Sequence, residues 1–459
     1  MGRFGPALLF AAVLGLSAAV GANAAPFAYI PNASGNDVSV IDTATNAIVA
    51  TVGVGDRPYG AAVSPDGSRV YVANYAGQSV SVIDAATNAV TATVALPLLG
   101  AFPLGVAVAP DGSRVYVTAV PAAFFVIDTA TNAVVSAQSL DGNPFGVAVA
   151  PDGSRVYVTN HSPAVLVIDT ATNAVVRAVT VGSDVDQTHG VAVTPDGARV
   201  YVTTISEQPY GHFGVAVIDT ATNTVVKTIP LPPSPKAIAV APDGGRVYVA
   251  NSNAVNVIDT STNTVVAAVG PMAFPTGLAV TPDGARVYVT HAYTTPRGTV
   301  DAIDTSRNLV VATVEVGSLP LAYGQFIQPR IPSFPFASFQ AQLAVGRETG
   351  SFVVKGTFAL GTGSRGINPV TQPLTLGIGG FTAVIPAGSF REDRYGMFVF
   401  EGVINGAPLA AVVVRHGGNR FAFKAEGVGA GNLPTANPVP LRLGIGSNAG
   451  TTTVTVVMR

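Results

Sequence analysis

Three side chains of metal-binding type stand close together at Asp184, Asp186 and His189. Carboxylate oxygen and imidazole nitrogen both suit a divalent cation. A protein-held metal needs further ligands, and no second pair with a diagnostic spacing accompanies these three. An exposed polar loop is therefore the better reading of them. His161, His212 and His291 add imidazoles elsewhere. His161 and His291 occupy neighbouring positions in different copies of a repeat and read as loop histidines. Histidine beside carboxylate could serve general-base hydrolysis. However, no Ser/His/Asp order, HExxH string or phosphate-cradling glycine loop is present. Tyr59, Phe102, Phe145 and Phe274, with Arg57, His189, Tyr210, His212 and Lys236, form a second candidate set, for binding rather than catalysis. Their aromatic rings suit an apolar pocket, or a plug that merely fills a channel. Nothing here asks for a cofactor.

The elements that position these residues are read from a repeat. The string Pro-Asp-Gly-x-Arg-Val-Tyr-Val recurs at Asp66, Asp111, Asp152, Asp196, Asp243 and Asp283. A second string, Ile-Asp-x-x-x-Asn, recurs at Asp42, Asp84, Asp128, Asp169, Asp219, Asp259 and Asp304, at intervals of about 44 residues. That length, with short β-branched runs between turn residues, predicts one four-stranded propeller blade per repeat. We label the strands a to d. In one copy they are expected at 105–108, 114–117, 124–127 and 134–139. Strand a is small and glycine-rich, so it is placed nearest the axis. The N-terminal copy supplies only b, c and d, and a lone a-like run, 322–327, remains at the other end. Together they predict a composite closing blade and a seven-bladed ring over 27–329, without open sheet edges.

Residues present in every copy build the blade; those that differ are candidates for function. The Pro-Asp-Gly and Ile-Asp-x-x-x-Asn strings read as a–b and c–d turns. The repeated arginines, Arg69 to Arg286, read as solvated or turn-pairing. In an antiparallel meander these uniform turns share one end, while b–c and d–a loops share the other. The variable end carries His161, His189, His212 and His291, and is where binding is expected.

Tyr157-Val-Thr-Asn160, with close copies at Tyr71–Asn74 and Tyr248–Asn251, resembles the YVTN-repeat propellers. The resemblance covers roughly 27–329. It implies a propeller fold, often in exported or surface-layer proteins. It implies no single activity, because related propellers include adhesion modules, lactonases and haem-binding domains.

The chain has 459 residues, with 24 Lys+Arg against 26 Asp+Glu. That balance gives no reason to expect nucleic acid. The absence of cysteine excludes disulfides, thiolate metal sites and a Cys-anchored haem. The absence of tryptophan counts against WD and quinoprotein propellers and against glycan stacking. Residues 1–24, with Arg3, an apolar stretch and Ala22-Asn23-Ala24, read as a signal peptide. The mature chain is expected to be exported, periplasmic or extracellular, without a membrane span. Residues 330–335 read as a Pro-rich linker. Beyond it, motifs recur at offsets of about 67–69 residues, as in Phe352-Val-Val-Lys and Phe421-Ala-Phe-Lys. Region 336–459 is therefore expected to be a β-sandwich with an internal duplication. The expected function is an exported, non-catalytic scaffold binding a protein or cell-envelope polymer. The alternative is a lactonase-like hydrolase with its site at the channel mouth.

Overall fold

The computed structural model describes residues 26–459, except 99, 183–185, 207–212, 293–296, 330–333, 347–350, 361–373, 379–380, 386–388, 394–396, 405–406, 417–419, 429–438, 446–447, 455 and 459. The chain forms two compact units, Ala25–Ile331 and Pro332–Arg459. All regular structure among the described residues is β-strand. No helix among them is long and apolar enough to cross a membrane.

Among the described residues the first unit holds one three-stranded and six four-stranded antiparallel sheets. The first four-stranded sheet runs Pro58–Val63, Arg69–Asn74, Ser79–Asp84, Ala89–Ala95. Five more follow in the same a-b-c-d order, ending at Leu309–Glu315. The three-stranded sheet is Phe27–Asn32, Asp37–Asp42 and Ala47–Gly53. Its buried Ala28, Ile30 and Val40 share one core with Ala61 and Val70 of the first four-stranded sheet. Ala279, Tyr288 and Val300 of the last sheet join the same core. The first and last repeats are thus neighbours, as in a propeller ring.

The expected closing strand takes a less regular form. Residues 320–327 meet the three-stranded sheet only at isolated bridges, Ala28 with Ile327 and Asn32 with Pro320. Between them the segment turns to the first four-stranded sheet. Ala61 N–H donates to Tyr323 O at 3.0 Å, and Val63 N–H to Gln325 O at 3.1 Å. Gly324 sits at φ 108°. A Cβ there would lie 2.8 Å from Ala61 O and 2.9 Å from Val106 O, so only glycine passes this crowded point.

Each repeated string has a visible task. In the a–b turn, Asp66 Oδ1 accepts the Ser68 N–H at 3.0 Å, and Gly67 takes φ 68°. In the c–d turn, Asp84 Oδ1 accepts Thr87 N–H at 2.8 Å, and Asn88 takes φ 53°. The repeated tyrosines are buried and point at the c–d turn of the next sheet. Tyr201 Oη donates to Asn263 Oδ1 at 2.8 Å, and Tyr288 Oη to Asn46 Oδ1 at 2.6 Å. The arginines pair with turns, as expected, though for some the turn belongs to the next sheet. Arg246 Nη1 reaches Thr305 O at 2.9 Å, and Arg286 Nη1 reaches Thr43 O at 3.3 Å, each in the next sheet. Arg155 and Arg199 instead pair with Asp169 and Asp219 of their own sheets. A guanidinium is long enough to span two blades, which local sequence spacing does not reveal.

A contrast follows. Tyr201→Phe should cost about 0.5–1.5 kcal/mol, because it strands the Asn263 oxygen. Tyr29 Oη is buried without a partner, so Tyr29→Phe should be neutral or stabilising. Denaturant unfolding of the two variants measures both. Equal losses would show that the cross-sheet hydroxyl bond contributes nothing.

In the second unit the recurring motifs lie side by side. Strand Ser351–Leu360 pairs antiparallel with Arg420–Gly427, Phe358 opposite Phe421. Strand Leu374–Ile378 likewise pairs with Val439–Ile445. Strands Phe334–Gly346 and Ala407–Arg415 flank the first pair. Phe381–Ile385 and Asn448–Val454 flank the second. Two separate sheets were expected of a sandwich. Instead the strands follow one hydrogen-bonded path, joined where Phe334-Pro335 runs parallel to Asn448-Ala449. One core is nevertheless shared by both groups, with Phe352, Phe358 and Phe421 from one and Leu374, Ile378 and Leu443 from the other. A unit with its own core should fold alone. Expressed by itself, Pro332–Arg459 is expected to be soluble and to melt cooperatively as β structure by circular dichroism. A disordered spectrum would contradict this.

Candidate functional site

The candidate site is built at the starts of strands a and just after strands b. In strand a or just before it, a mouth residue is followed by glycine or alanine: Tyr59-Gly60, Leu104-Gly105, Phe145-Gly146, His189-Gly190, Lys236-Ala237. A Cβ at Gly105 would overlap Phe145 O, and one at Gly146 would overlap His189 O. The glycines therefore admit the carbonyl of the next blade's mouth residue. The threonine of the Tyr-Val-Thr strings then locks it. Gly105 N–H donates to Thr118 Oγ1 at 3.0 Å, and Thr118 Oγ1 donates to Phe145 O at 2.6 Å. Thr159 links Gly146 to His189 O in the same way. Thr203 links Gly190 to Lys236 O, at 2.7 and 3.1 Å. Residues common to the repeats thus fix the backbone of Phe145, His189 and Lys236.

On this frame the rings form two clusters. In one, Tyr75 stacks between Tyr59 and Phe102, at centroid distances of 4.9 and 5.0 Å. The Arg57 guanidinium lies over Tyr75, 5.8 Å from its centroid. In the other, Phe145 contacts His161 at 5.0 Å, His189 at 5.1 Å and Tyr323 at 5.0 Å. His161 and His189 are 4.3 Å apart. Phe145 and Tyr323 belong to repeats that are not neighbours, so their contact spans the axis. The rings of both clusters are half-buried and gather at the mouth.

The electrostatics fit a partly buried cluster. Burial pushes the His189 pKa down to about 3, assisted by His161 and Lys236. Burial lowers that of His161 as well. Both rings are therefore neutral at pH 7. His161 Nε2 and His189 Nδ1 are buried without hydrogen-bond partners.

His291 belongs elsewhere, and the loop assignment is corrected for it. It is 2% exposed and ends a strand, Arg286–His291. Its Nδ1 faces Ala273 O and its Nε2 faces Asp301 Oδ2, both at 3.0 Å. It fills the place where Asn74 binds Ser81 Oγ at 2.9 Å, so its role is structural. Burial acts to raise the Asp301 pKa, but bonds from His291 and Thr313 outweigh it and hold the carboxyl low.

Among the sequence candidates, Arg57, Tyr59 and Phe102 come together, as do Phe145 and His189 with Lys236 beside them. Phe274 is 62% exposed, at φ 49°. Tyr210, His212 and Asp184 lie outside the described residues. Asp186 is described only as the backbone start of strand Asp186–Val193. Among the described residues no group of three His, Cys, Asp or Glu could hold a metal. Sequence reasoning missed Tyr75, Tyr323 and the pairing of His161 with His189. One signal was available. Tyr75 directly follows Tyr-Val-Ala-Asn74, as His161 directly follows Tyr-Val-Thr-Asn160.

No protein-family model matches the chain, and no curated protein matches it. Solved structures do. The chain is similar to hydrazine synthase from Kuenenia stuttgartiensis, with 25% identity and a TM-score of 0.54. That match covers 61% of this chain and 92% of the other. It is also similar to a functionally unknown protein from Desulfotomaculum acetoxidans DSM 771, with 18% identity and a TM-score of 0.56. Here 66% of this chain and 98% of the other are covered. With the repeated four-stranded sheets, these likenesses show an all-β, propeller-type fold.

Proposed function

We propose that this is an exported, non-catalytic scaffold: a seven-bladed propeller of the YVTN kind whose last blade is completed by 320–327. It binds a protein or envelope polymer through the b–c/d–a face. The observation that carries this is the pair of ring clusters at the mouth. Two ring clusters and Arg57 present an aromatic surface with a polar edge, which suits the anchor residues of a macromolecule. The lactonase-like alternative is weakened by His189. A general base works best with a pKa near the operating pH, and burial has carried this imidazole far below it. From the hydrazine synthase likeness we carry over the fold and no chemistry.

The test is a pair of assays on the mature chain. Tyr75→Ala with Phe145→Ala should abolish capture of envelope material at a concentration where the unsubstituted chain binds. Ser113→Ala with Ser154→Ala, on the uniform face, should leave it unchanged. Lactone turnover lost in His189→Ala would establish the hydrolase reading instead.

A further inference from the structure

The second unit carries an outward sheet face that is unusually apolar and banded by charge. Across strands Ser351–Leu360, Arg420–Gly427, Ala407–Arg415 and Met397–Ile404 the core side holds Phe352, Phe358, Val413 and Phe421. The register puts the intervening residues on the other side in rows. One row is Val428, Pro408 and Val403, with Val428 N–H donating to Pro408 O. The next is Val353, Glu426, Ala410 and Glu401. The third is Lys355, Lys424, Val412 and Val399, continued by Arg391 beside Val399. Val403 is 65% and Val428 53% exposed. A solvated antiparallel face is ordinarily polar. Here valines interrupt the polar positions in every row.

Two details concern what covers this face. Lys355 and Lys424 stand directly opposite each other, an unfavourable cross-strand pair. Lys424 Nζ has one carboxylate partner, Glu426, at 2.5 Å. Together with Arg391 they make a cationic row beside an anionic one. In addition, small Ala410 between Glu401 and Glu426 leaves a hollow of about 490 Å³, bounded by Val353, Pro408 and Val428.

We propose that this face pairs with the same face of a second copy of the chain. A two-fold axis lying in the interface, along the rows and between them, lays each glutamate row on the other copy's cationic row. Glu426 then meets Lys424 of the second copy, and Glu401 falls beside Arg391 of the second copy. The same operation drops Val412 of each copy over Ala410 of the other, into the hollow. Such a self-matching patch is the requirement for an isologous dimer. With the flanking strand Phe334–Gly346 and the short strand Arg391–Glu392, six strands at about 4.8 Å spacing and seven residues at about 3.4 Å span at most about 700 Å² per copy. A stable interface uses about 800 Å² per partner.

The test is charge exchange in the mature full chain, read by sedimentation velocity at low salt and at 0.5 M salt. The unsubstituted protein should be dimeric and loosen at high salt. Lys355→Glu with Lys424→Glu should be monomeric, and so should Glu401→Lys with Glu426→Lys. An equimolar mixture of the two variants should recover a dimer containing one of each. Matching thermal transitions will show that both variants are folded. A monomeric unsubstituted chain, or charge variants that stay dimeric, would overturn the proposal. So would a mixture that remains monomeric.

Discussion

Deletion of Leu319–Gln328 is expected to abolish the single cooperative unfolding transition of the propeller. The segment buries Leu321, Ala322, Phe326 and Ile327 in the cores where the first and last repeats meet. Full burial of side chains such as Leu, Phe and Ile stabilises by about 1.5–3 kcal/mol each. Their loss alone amounts to about 5 kcal/mol or more, comparable with the whole stability of many domains. The deletion also strips partners from backbone groups. Tyr29 N–H loses Phe326 O, and Ala61 N–H loses Tyr323 O. Phe326→Ala is the milder form and should cost about 3–5 kcal/mol. Urea unfolding of both measures the effect. An unchanged midpoint in the deletion would mean that the ring does not depend on this segment.

Stability should also fall as the medium is acidified from pH 7 to pH 5, and His189 should account for much of the fall. Its folded pKa, about 3, lies below the ordinary value near 6.5. The unfolded chain therefore takes up a proton as the pH drops through 6.5, while the folded chain does not. The stability is complete above that point and declines toward pH 3. One unit corresponds to about 1.4 kcal/mol, so about 2 kcal/mol should be lost by pH 5. His161 acts in the same direction. His189→Phe keeps a ring against Phe145 and should flatten the profile. The turn aspartates act in a separate window. Backbone and Ser113 bonds hold Asp111 low, and Thr131 does the same for Asp128. Their contribution persists above the ordinary carboxylate range and disappears only as the pH falls through their lowered values. Parallel pH profiles for the two proteins between 7 and 5 would contradict the assignment to His189.

These two results bear on what the residues announce and what they conceal. The blades were legible because each turn is written locally. Asp and Gly of Pro-Asp-Gly, and Asp and Asn of Ile-Asp-x-x-x-Asn, bond within a few positions of themselves. The contacts between blades were not legible. Arg246 and Thr305 are 59 positions apart, and nothing local marks the pair. The site falls between these cases. Phe145 and His189 could be named because they depart from the small residues around them. That they meet His161 and Tyr323 depends on ring curvature, which only the closed fold supplies. Tyr323 in particular stood inside a run legible only as a strand. In the second unit, the duplicated motifs marked matching strands. They did not show that each strand would pair with its own copy.

The claim that the aromatic mouth is the binding surface is tested most directly by photocrosslinking. A photoreactive residue replaces Tyr75 in one protein and Ser113, on the opposite face, in another. Each is illuminated with envelope material and analysed for covalent adducts. The account predicts a discrete macromolecular adduct at position 75 that is competed by unlabelled protein, and none at position 113. Adducts confined to position 113 would place binding on the uniform face and contradict it.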